Sequence, residues 1–128
     1  MDSVVHFEIP ADDAKRASKF YKGAFGWSLQ QYAPMDYWLV QTTEVGENQM
    51  PKNPGAINGG MAKRGGPIKS VVITIMVDDI DKSLAKVEKL GGKTVQKKQP
   101  IPDMGFTAYF KDTEGNVVGL FQAAPKQG

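Results

Sequence analysis

The sequence has no cysteine and only one histidine, His6, in 128 residues. Without cysteine there are no disulfides, thiolate metal sites or cysteine nucleophiles. One histidine and no cysteine also argue against a tight transition-metal site within one chain. No stretch approaches the roughly 18 consecutive apolar residues of a membrane span. The N-terminus lacks a signal-peptide pattern. We therefore expect a cytoplasmic protein without a membrane partner.

Charge of one sign is also scarce. The chain carries 16 Lys and Arg against 14 Asp and Glu, a formal net charge of +2. The charges are scattered, so we expect no nucleic-acid partner. A composition that is 41% hydrophobic and 23% charged is that of an ordinary globular protein. The length suits a single domain over residues 1–128.

An internal repeat organises the chain. A period near half the chain length indicates duplication of a supersecondary unit rather than a solenoid. Each copy begins with an alternating strand, and that strand ends at an Asp-Asp pair. The carboxylates of such a pair suit the N-cap of a following helix. Shifted by 66 positions, Val5, Ile9, Asp12 and Asp13 recur as Val71, Ile75, Asp78 and Asp79.

Both halves continue with helical periodicity and then with strands. The pattern predicts strands near 27–33, 37–43 and 56–62 in the first half, and near 93–98, 105–111 and 116–122 in the second. The Gly- and Pro-containing stretch 63–69 forms the joint between them. Each half is thus predicted to be a βαβββ module, the first over 1–64 and the second over 68–124. The apolar stripes of the two helices are Ala17, Phe20, Tyr21 and Ala24, and Ile80, Leu84, Val87 and Leu90.

Strand alternation assigns residues to faces. In the first strand Phe7 and Ile9 face the helix, whereas His6 and Glu8 share the opposite face, roughly 6.5–7 Å apart along the strand. The pair could act on one ligand, or could be solvated or bonded to neighbouring strands. In the corresponding strand of the second half, Val71, Ile73 and Ile75 are predicted to face the helix and Thr74 to face away.

The order of several motifs resembles the glyoxalase/bleomycin-resistance/dioxygenase proteins, the vicinal oxygen chelate superfamily. The resemblance implies an α+β fold of two tandem βαβββ modules, whose curled mixed sheet forms a ligand cavity, commonly in a homodimer. The matching segments are His6 to Asp13, Lys19 to Tyr21, Phe25 to Trp27, Val77 to Lys82, Gly91 to Lys93 and Lys111 to Leu120.

Metal-binding members of this family coordinate a divalent ion through four positions, typically His, Glu or Gln. By resemblance the first position falls on His6, which matches. Its counterpart in the second half falls on Val72 and the last-strand acid on Gly119, neither of which can coordinate a metal. The remaining ligand belongs to the stretch 56–61, which has no acid, His or Gln. The resemblance therefore predicts a protein with no metal and no cofactor, unless a dimer brings two copies of His6 and Glu8 together.

The family cavity remains, and we predict that it holds a flat, partly aromatic ligand. The first hypothesis is a metal-independent small-molecule-binding protein. The alternative is a lyase or isomerase, related to lactoylglutathione lyase, in which His6 is a general acid/base and Glu8 orients it. A third possibility is an accessory protein whose sheet face contacts partners. Alternation leaves open whether Tyr37 or Trp38 faces the cavity. The predicted catalytic residues are His6 and Glu8, and the predicted ligand-binding residues are Trp38, Thr74, Tyr109 and Phe121.

Overall fold

The computed structural model describes residues 1–33, 35–47 and 50–125. The chain forms two compact units. The first unit is His6–Val71, and the second combines Met1–Val5 with the chain from Val72 onward. Over the described residues, no helix is long and apolar enough to cross a membrane. The elements in chain order are β1 (Val4–Ala11), α1 (Ala14–Phe25), β2 (Ser28–Gln31), β3 (Tyr37–Gln41), β4 (Gly59–Lys63), β5 (Val72–Met76), α2 (Ile80–Lys89), β6 (Lys93–Ile101), β7 (Gly105–Lys111) and β8 (Val117–Ala123).

In the first unit the strands lie in the order β2-β3-β4-β1. Strands β1 and β4 pair in parallel, with Glu8 opposite Gly60. The β2–β3 and β3–β4 pairs are antiparallel. A parallel pair needs a long crossover between its strands, and here α1 is part of that crossover.

The second unit repeats this plan. Its strands lie in the order β5-β8-β7-β6. The β5–β8 pair is parallel, with Thr74 opposite Gly119, and the β6–β7 and β7–β8 pairs are antiparallel. The predicted α+β architecture of two βαβββ repeats with mixed strand pairing is confirmed.

The second aspartate of each Asp-Asp pair is the N-cap of the helix that follows it. The Asp13 carboxylate accepts a hydrogen bond from the backbone N–H of Arg16 at 3.0 Å. The Asp79 carboxylate accepts one from the N–H of Lys82 at 3.1 Å. Each side chain thus satisfies a backbone donor in the first turn that has no partner within the helix. The predicted capping role is confirmed for the second aspartate of each pair. Asp12, the first aspartate of its pair, forms an ion pair with Arg64 at 3.0 Å instead.

Each unit has its own hydrophobic core, on the side of its strands that its helix covers. In the first unit Met61 and Val40 are fully buried, with Phe7 and Trp38 packed against them. In the second unit the core joins Ile80 and Leu84 of α2 to Val77, Ala108 and Leu120 from the strands. Because the cores occupy the helix sides, the opposite face of each sheet is the one that can carry a site.

The start of β5 departs from the predicted pattern. Alternation predicts that Val71, just before β5, and Ile73 face the helix, but they are 64% and 46% exposed. Ile75, assigned to the same side, does pack against the core of the second unit. The reason is the position of α2, which lies against β6, β7 and β8. The helix therefore does not cover the first residues of β5.

Candidate functional site

A histidine–tyrosine pair occupies the face of the first sheet opposite α1. The His6 Nε2 atom of β1 lies 3.0 Å from the Tyr37 hydroxyl of β3. Phe7, the neighbour of His6, turns the other way and joins the core. Alternation along β1 thus separates a polar face that carries His6 from the apolar face that α1 covers.

A glycine allows the tyrosine to lie where it does. A Cβ atom added at Gly60 would overlap the hydroxyl and ring of Tyr37. Gly60 is also the partner of Glu8 in the β1–β4 register. Tyr37, Gly60 and Glu8 are therefore neighbours on one face, and the Glu8 side chain is buried there at 6% exposure. A glycine within a strand commonly marks such a close approach.

Burial sets the charge of His6. Desolvation lowers the pKa of His6 from 6.5 to about 4, because burial disfavours the charged imidazolium. The ring is therefore neutral at neutral pH. The direction of the hydrogen bond follows the tautomer. Nε2 accepts from the Tyr37 hydroxyl when the imidazole proton is on Nδ1, and it donates to that hydroxyl when the proton is on Nε2.

The second unit carries a related arrangement. Thr74 and Tyr109 both pair with Gly119, one from each side, and Thr74 is buried. A Cβ atom at Gly119 would lie 3.0 Å from Thr74 Oγ1 and 3.4 Å from Tyr109 Cε1. Phe121, two residues along β8 and opposite Thr107, shares this face. The structure thus brings together Thr74, Tyr109 and Phe121, three of the predicted ligand-binding residues.

The repeat relates the two arrangements. Thr74 follows Glu8 by the 66-residue period, and each pairs with a glycine that also neighbours a tyrosine. Both units therefore place a tyrosine ring against a glycine of a neighbouring strand. The histidine is found in the first unit alone, because its counterpart in the second unit is the apolar, buried Val72.

Trp38 lies on the opposite face of its sheet from His6 and Glu8. It pairs with Met61 and packs against the core on the helix side of the first sheet. Tyr37, which strand alternation left as an alternative to Trp38, lies beside His6. The signal that could have chosen Tyr37 is Gly60, since only a glycine there leaves room for the ring.

The residues at the family's metal positions do not fit a metal ion. Val72 is apolar, and Gly119 has no side chain where an acidic ligand would stand. At Gly60, in the stretch that would supply the remaining ligand, Tyr37 fills the adjacent space. Within the described ranges, no group of three or more His, Cys, Asp or Glu side chains is arranged to hold a metal.

Comparison with known proteins establishes the family. Residues 3–120 match the model of the glyoxalase/bleomycin resistance protein/dioxygenase superfamily, and the chain belongs to it. A glyoxylase-like domain-containing protein of Didymella fabae is 35% identical over 114 residues, covering 85% of this chain and 84% of its own. A putative glyoxylase, CFP32, of Mycobacterium bovis is 29% identical over 121 residues. That match covers 91% of this chain but 44% of the relative, so the chain spans less than half of that protein.

Solved structures share the fold at low sequence identity. Methylmalonyl-CoA epimerase from Mycobacterium tuberculosis superimposes with a TM-score of 0.66 at 15% identity, covering 95% of this chain and 88% of that one. A hypothetical protein from Bacillus halodurans gives a TM-score of 0.67 at 14% identity, covering 99% and 98%. The fold is the glyoxalase fold, as the motif resemblance predicted. At these identities the likeness extends to the fold alone, which hosts several activities.

Proposed function

We propose that this chain is a metal-independent small-molecule-binding protein of the glyoxalase superfamily, whose ligand contacts the sheet face formed by His6, Glu8 and Tyr37. The observation that carries the proposal is the His6–Tyr37 hydrogen bond at 3.0 Å, above Gly60 and beside a buried carboxylate. Polar groups held in place around an aromatic ring are the usual means by which a pocket orients a small molecule.

The charge state of His6 favours binding over acid–base catalysis. A general base works best when its pKa lies near the operating pH. Burial lowers the pKa of His6 to about 4, so at neutral pH the ring is a weak base that is already deprotonated. A neutral imidazole is well suited to hydrogen bonding with a ligand. This supports the binding hypothesis against the lyase or isomerase alternative.

The same groups indicate the chemistry of the ligand. The Tyr37 ring offers an aromatic surface, and aromatic side chains favour flat ligands with some apolar area. With the imidazole proton on Nδ1, His6 offers an N–H donor that suits a carbonyl or hydroxyl oxygen. The Glu8 carboxyl group lies on the same face and, when ionised, disfavours an anionic ligand. We therefore propose a neutral, partly aromatic molecule that carries a hydrogen-bond acceptor.

The proposal is tested by screening neutral aromatic ketones, amides and phenols by saturation-transfer NMR in buffer containing a metal chelator. Hits are then titrated calorimetrically into the wild type, Tyr37→Phe, His6→Ala and the control Tyr32→Phe. Tyr37→Phe removes the hydroxyl that holds the His6 ring in place. Loss of the hydrogen bond between that ring and the ligand, about 1 kcal/mol, predicts roughly fivefold weaker binding. His6→Ala should weaken binding further, and Tyr32→Phe should leave it unchanged.

Three results would contradict the proposal. One is the absence of any hit across the library in chelator, and another is equal affinity in all four proteins. The third is turnover of a hit by the wild type that disappears in His6→Ala, which would establish the lyase or isomerase alternative instead.

A further inference from the structure

Helix α1 presents an exposed aromatic cluster at its C-terminal end. Phe20 and Phe25 are 61% and 63% exposed. The Phe20 ring meets Tyr21 edge to face at 5.2 Å, and Tyr21 stacks on Trp27 at 4.9 Å with an interplanar angle of 7°. Trp27 packs in turn against the core of the first unit. The outer rings are thus exposed but supported from beneath, an arrangement that lowers the entropic cost of binding a partner.

The repeat provides an internal comparison, because α2 is the equivalent helix of the second unit. Helix α2 buries Ile80 and Leu84, whereas α1 has no buried residue. Their charges differ as well: α2 mixes acidic and basic residues, and α1 has basic residues only. The cations of α1 are Lys15, Arg16, Lys19 and Lys22.

The two phenylalanines flank these cations. Phe20 and Phe25 are five residues apart, so they are separated by about 140° around the helix axis. This shorter arc between them faces the core. At 100° per residue, all four basic residues fall on the remaining, outward arc. Lys19 and Lys22 form no ion pair with any described residue, while the carboxylate of Asp13 lies near Lys15 and Arg16 at the other end of the helix.

We infer that the outer face of α1 docks an acidic segment of a partner protein that also carries apolar side chains. Carboxylates would pair with Lys19 and Lys22, and apolar side chains would cover Phe20 and Phe25 on either side. Exposed aromatic rings of this kind commonly anchor protein interfaces. Charge complementarity selects the partner, since a second copy of the same helix would bring like charges together.

The arrangement is unsuited to a lipid bilayer. A helix that lies in a membrane surface has its apolar residues on one face and its cations on the other. In α1 the arc between the two phenylalanines that faces the core is covered by the sheet, and the cations occupy the outward arc. A flat bilayer approaching from outside would therefore meet the lysines before it reached both rings. A peptide segment can instead follow the curved surface of the helix.

The test uses a fluorescein-labelled peptide of repeating Glu-Leu-Ala-Glu units as the probe, followed by fluorescence anisotropy. The double variant Lys19→Glu/Lys22→Glu should weaken binding at least tenfold, which corresponds to about 1.4 kcal/mol. The matched control Lys82→Glu/Lys86→Glu on α2 makes the same change in net charge and should leave the affinity within about twofold. Phe20→Ser should weaken binding without reversing any charge, and circular dichroism confirms that each variant is folded.

Binding should also weaken as salt is raised, because exposed charges are screened. A peptide in which serine replaces leucine should bind more weakly, and one in which lysine replaces glutamate should not bind. The inference is overturned if the Glu-Leu-Ala-Glu peptide does not bind, or if the α1 and α2 double variants lose affinity equally. Tighter binding to phosphatidylglycerol vesicles than to the peptide, lost in Phe20→Ser, would also overturn it in favour of a membrane.

Discussion

His6 and Tyr37, which lie 31 residues apart in the chain, are joined by a hydrogen bond of 3.0 Å between Nε2 and the phenolic hydroxyl. The bond depends on a third residue, Gly60, because a side chain there would occupy the space of the tyrosine ring. Strand register brings the buried Glu8 to the same place, opposite Gly60. A shift of β3 by one residue would place Trp38 on this face instead of Tyr37, and His6 would lose its hydroxyl partner.

Stability should depend on pH through His6. The pKa of His6 is 6.5 when exposed and is lowered by burial to about 4 in the folded chain. Between these values the unfolded state binds more protons, so the free energy of unfolding should fall as pH falls. The total decrease is roughly 3 kcal/mol, complete near the folded-state pKa. Urea denaturation at a series of pH values measures it.

The matched control for this experiment is His6→Gln, which cannot titrate and should lose the decrease between the two pKa values. Hydrogen bonds lower the pKa of Asp13 and Asp112, so their contributions are lost only below the ordinary carboxylate value of 3.8, outside the window. An imidazole NMR titration with a midpoint near 6.5, or the same pH dependence in the variant, would contradict the assigned environment of His6.

Substitution of Gly60 should displace Tyr37. Gly60→Ala introduces a Cβ into the ring, and such overpacking costs about 1–3 kcal/mol of unfolding free energy. It should also release His6, which raises the pKa of the imidazole toward its ordinary value. Denaturation and NMR titration of the same variant measure the two effects.

The control is Gly23→Ala in α1, where an added Cβ would meet no atom within 4 Å. Alanine favours a helix over glycine by about 0.5–1 kcal/mol, so this variant should be slightly stabilised. If Gly60→Ala behaves like Gly23→Ala, with an unchanged His6 titration, the glycine does not hold the pair in place.

Trp38 should matter for stability and little for ligand binding. The side chain packs against Met61 in the core of the first unit. Trp38→Leu leaves part of that space unfilled and should cost about 2–3 kcal/mol. The affinity for any ligand found in the screen should stay within about twofold. Loss of affinity at unchanged stability would instead make Trp38 a ligand-binding residue, as the sequence predicted.

Much of the fold could be predicted because its signals are local. The Asp-Asp pairs and the helical stripes each depend on residues near one another in the chain. The repeat is read by comparing the two halves of the sequence directly, and together these signals predicted two βαβββ modules. The exposure of Val71 and Ile73 could not be predicted this way, because it depends on where α2 lies across the sheet. That position is set by tertiary packing, which periodicity within β5 does not report.

The candidate site was predicted less completely. Alternation in β1 placed His6 and Glu8 on one face, where the structure has them. It could not choose between Tyr37 and Trp38, since neighbouring aromatics leave the phase of a strand undefined. The choice depends on Gly60 in another strand, and the lowered pKa of His6 depends on burial by residues distant in sequence.

Family membership defines the fold of this chain, whereas the donor atoms at its metal positions define what the fold can hold. A carboxylate at position 119 would stand against Thr74, and one at position 60 would collide with Tyr37. Both positions are glycine in this chain. We therefore propose that this chain binds its ligand without a metal ion.

The most direct test of that claim is metal content per chain, measured by mass spectrometry on untagged protein. The protein is incubated with nickel, zinc, iron and manganese and then desalted, in parallel with the His6→Ala variant. The account predicts negligible metal in both proteins. Near-stoichiometric metal in the wild type that is lost in His6→Ala would contradict it.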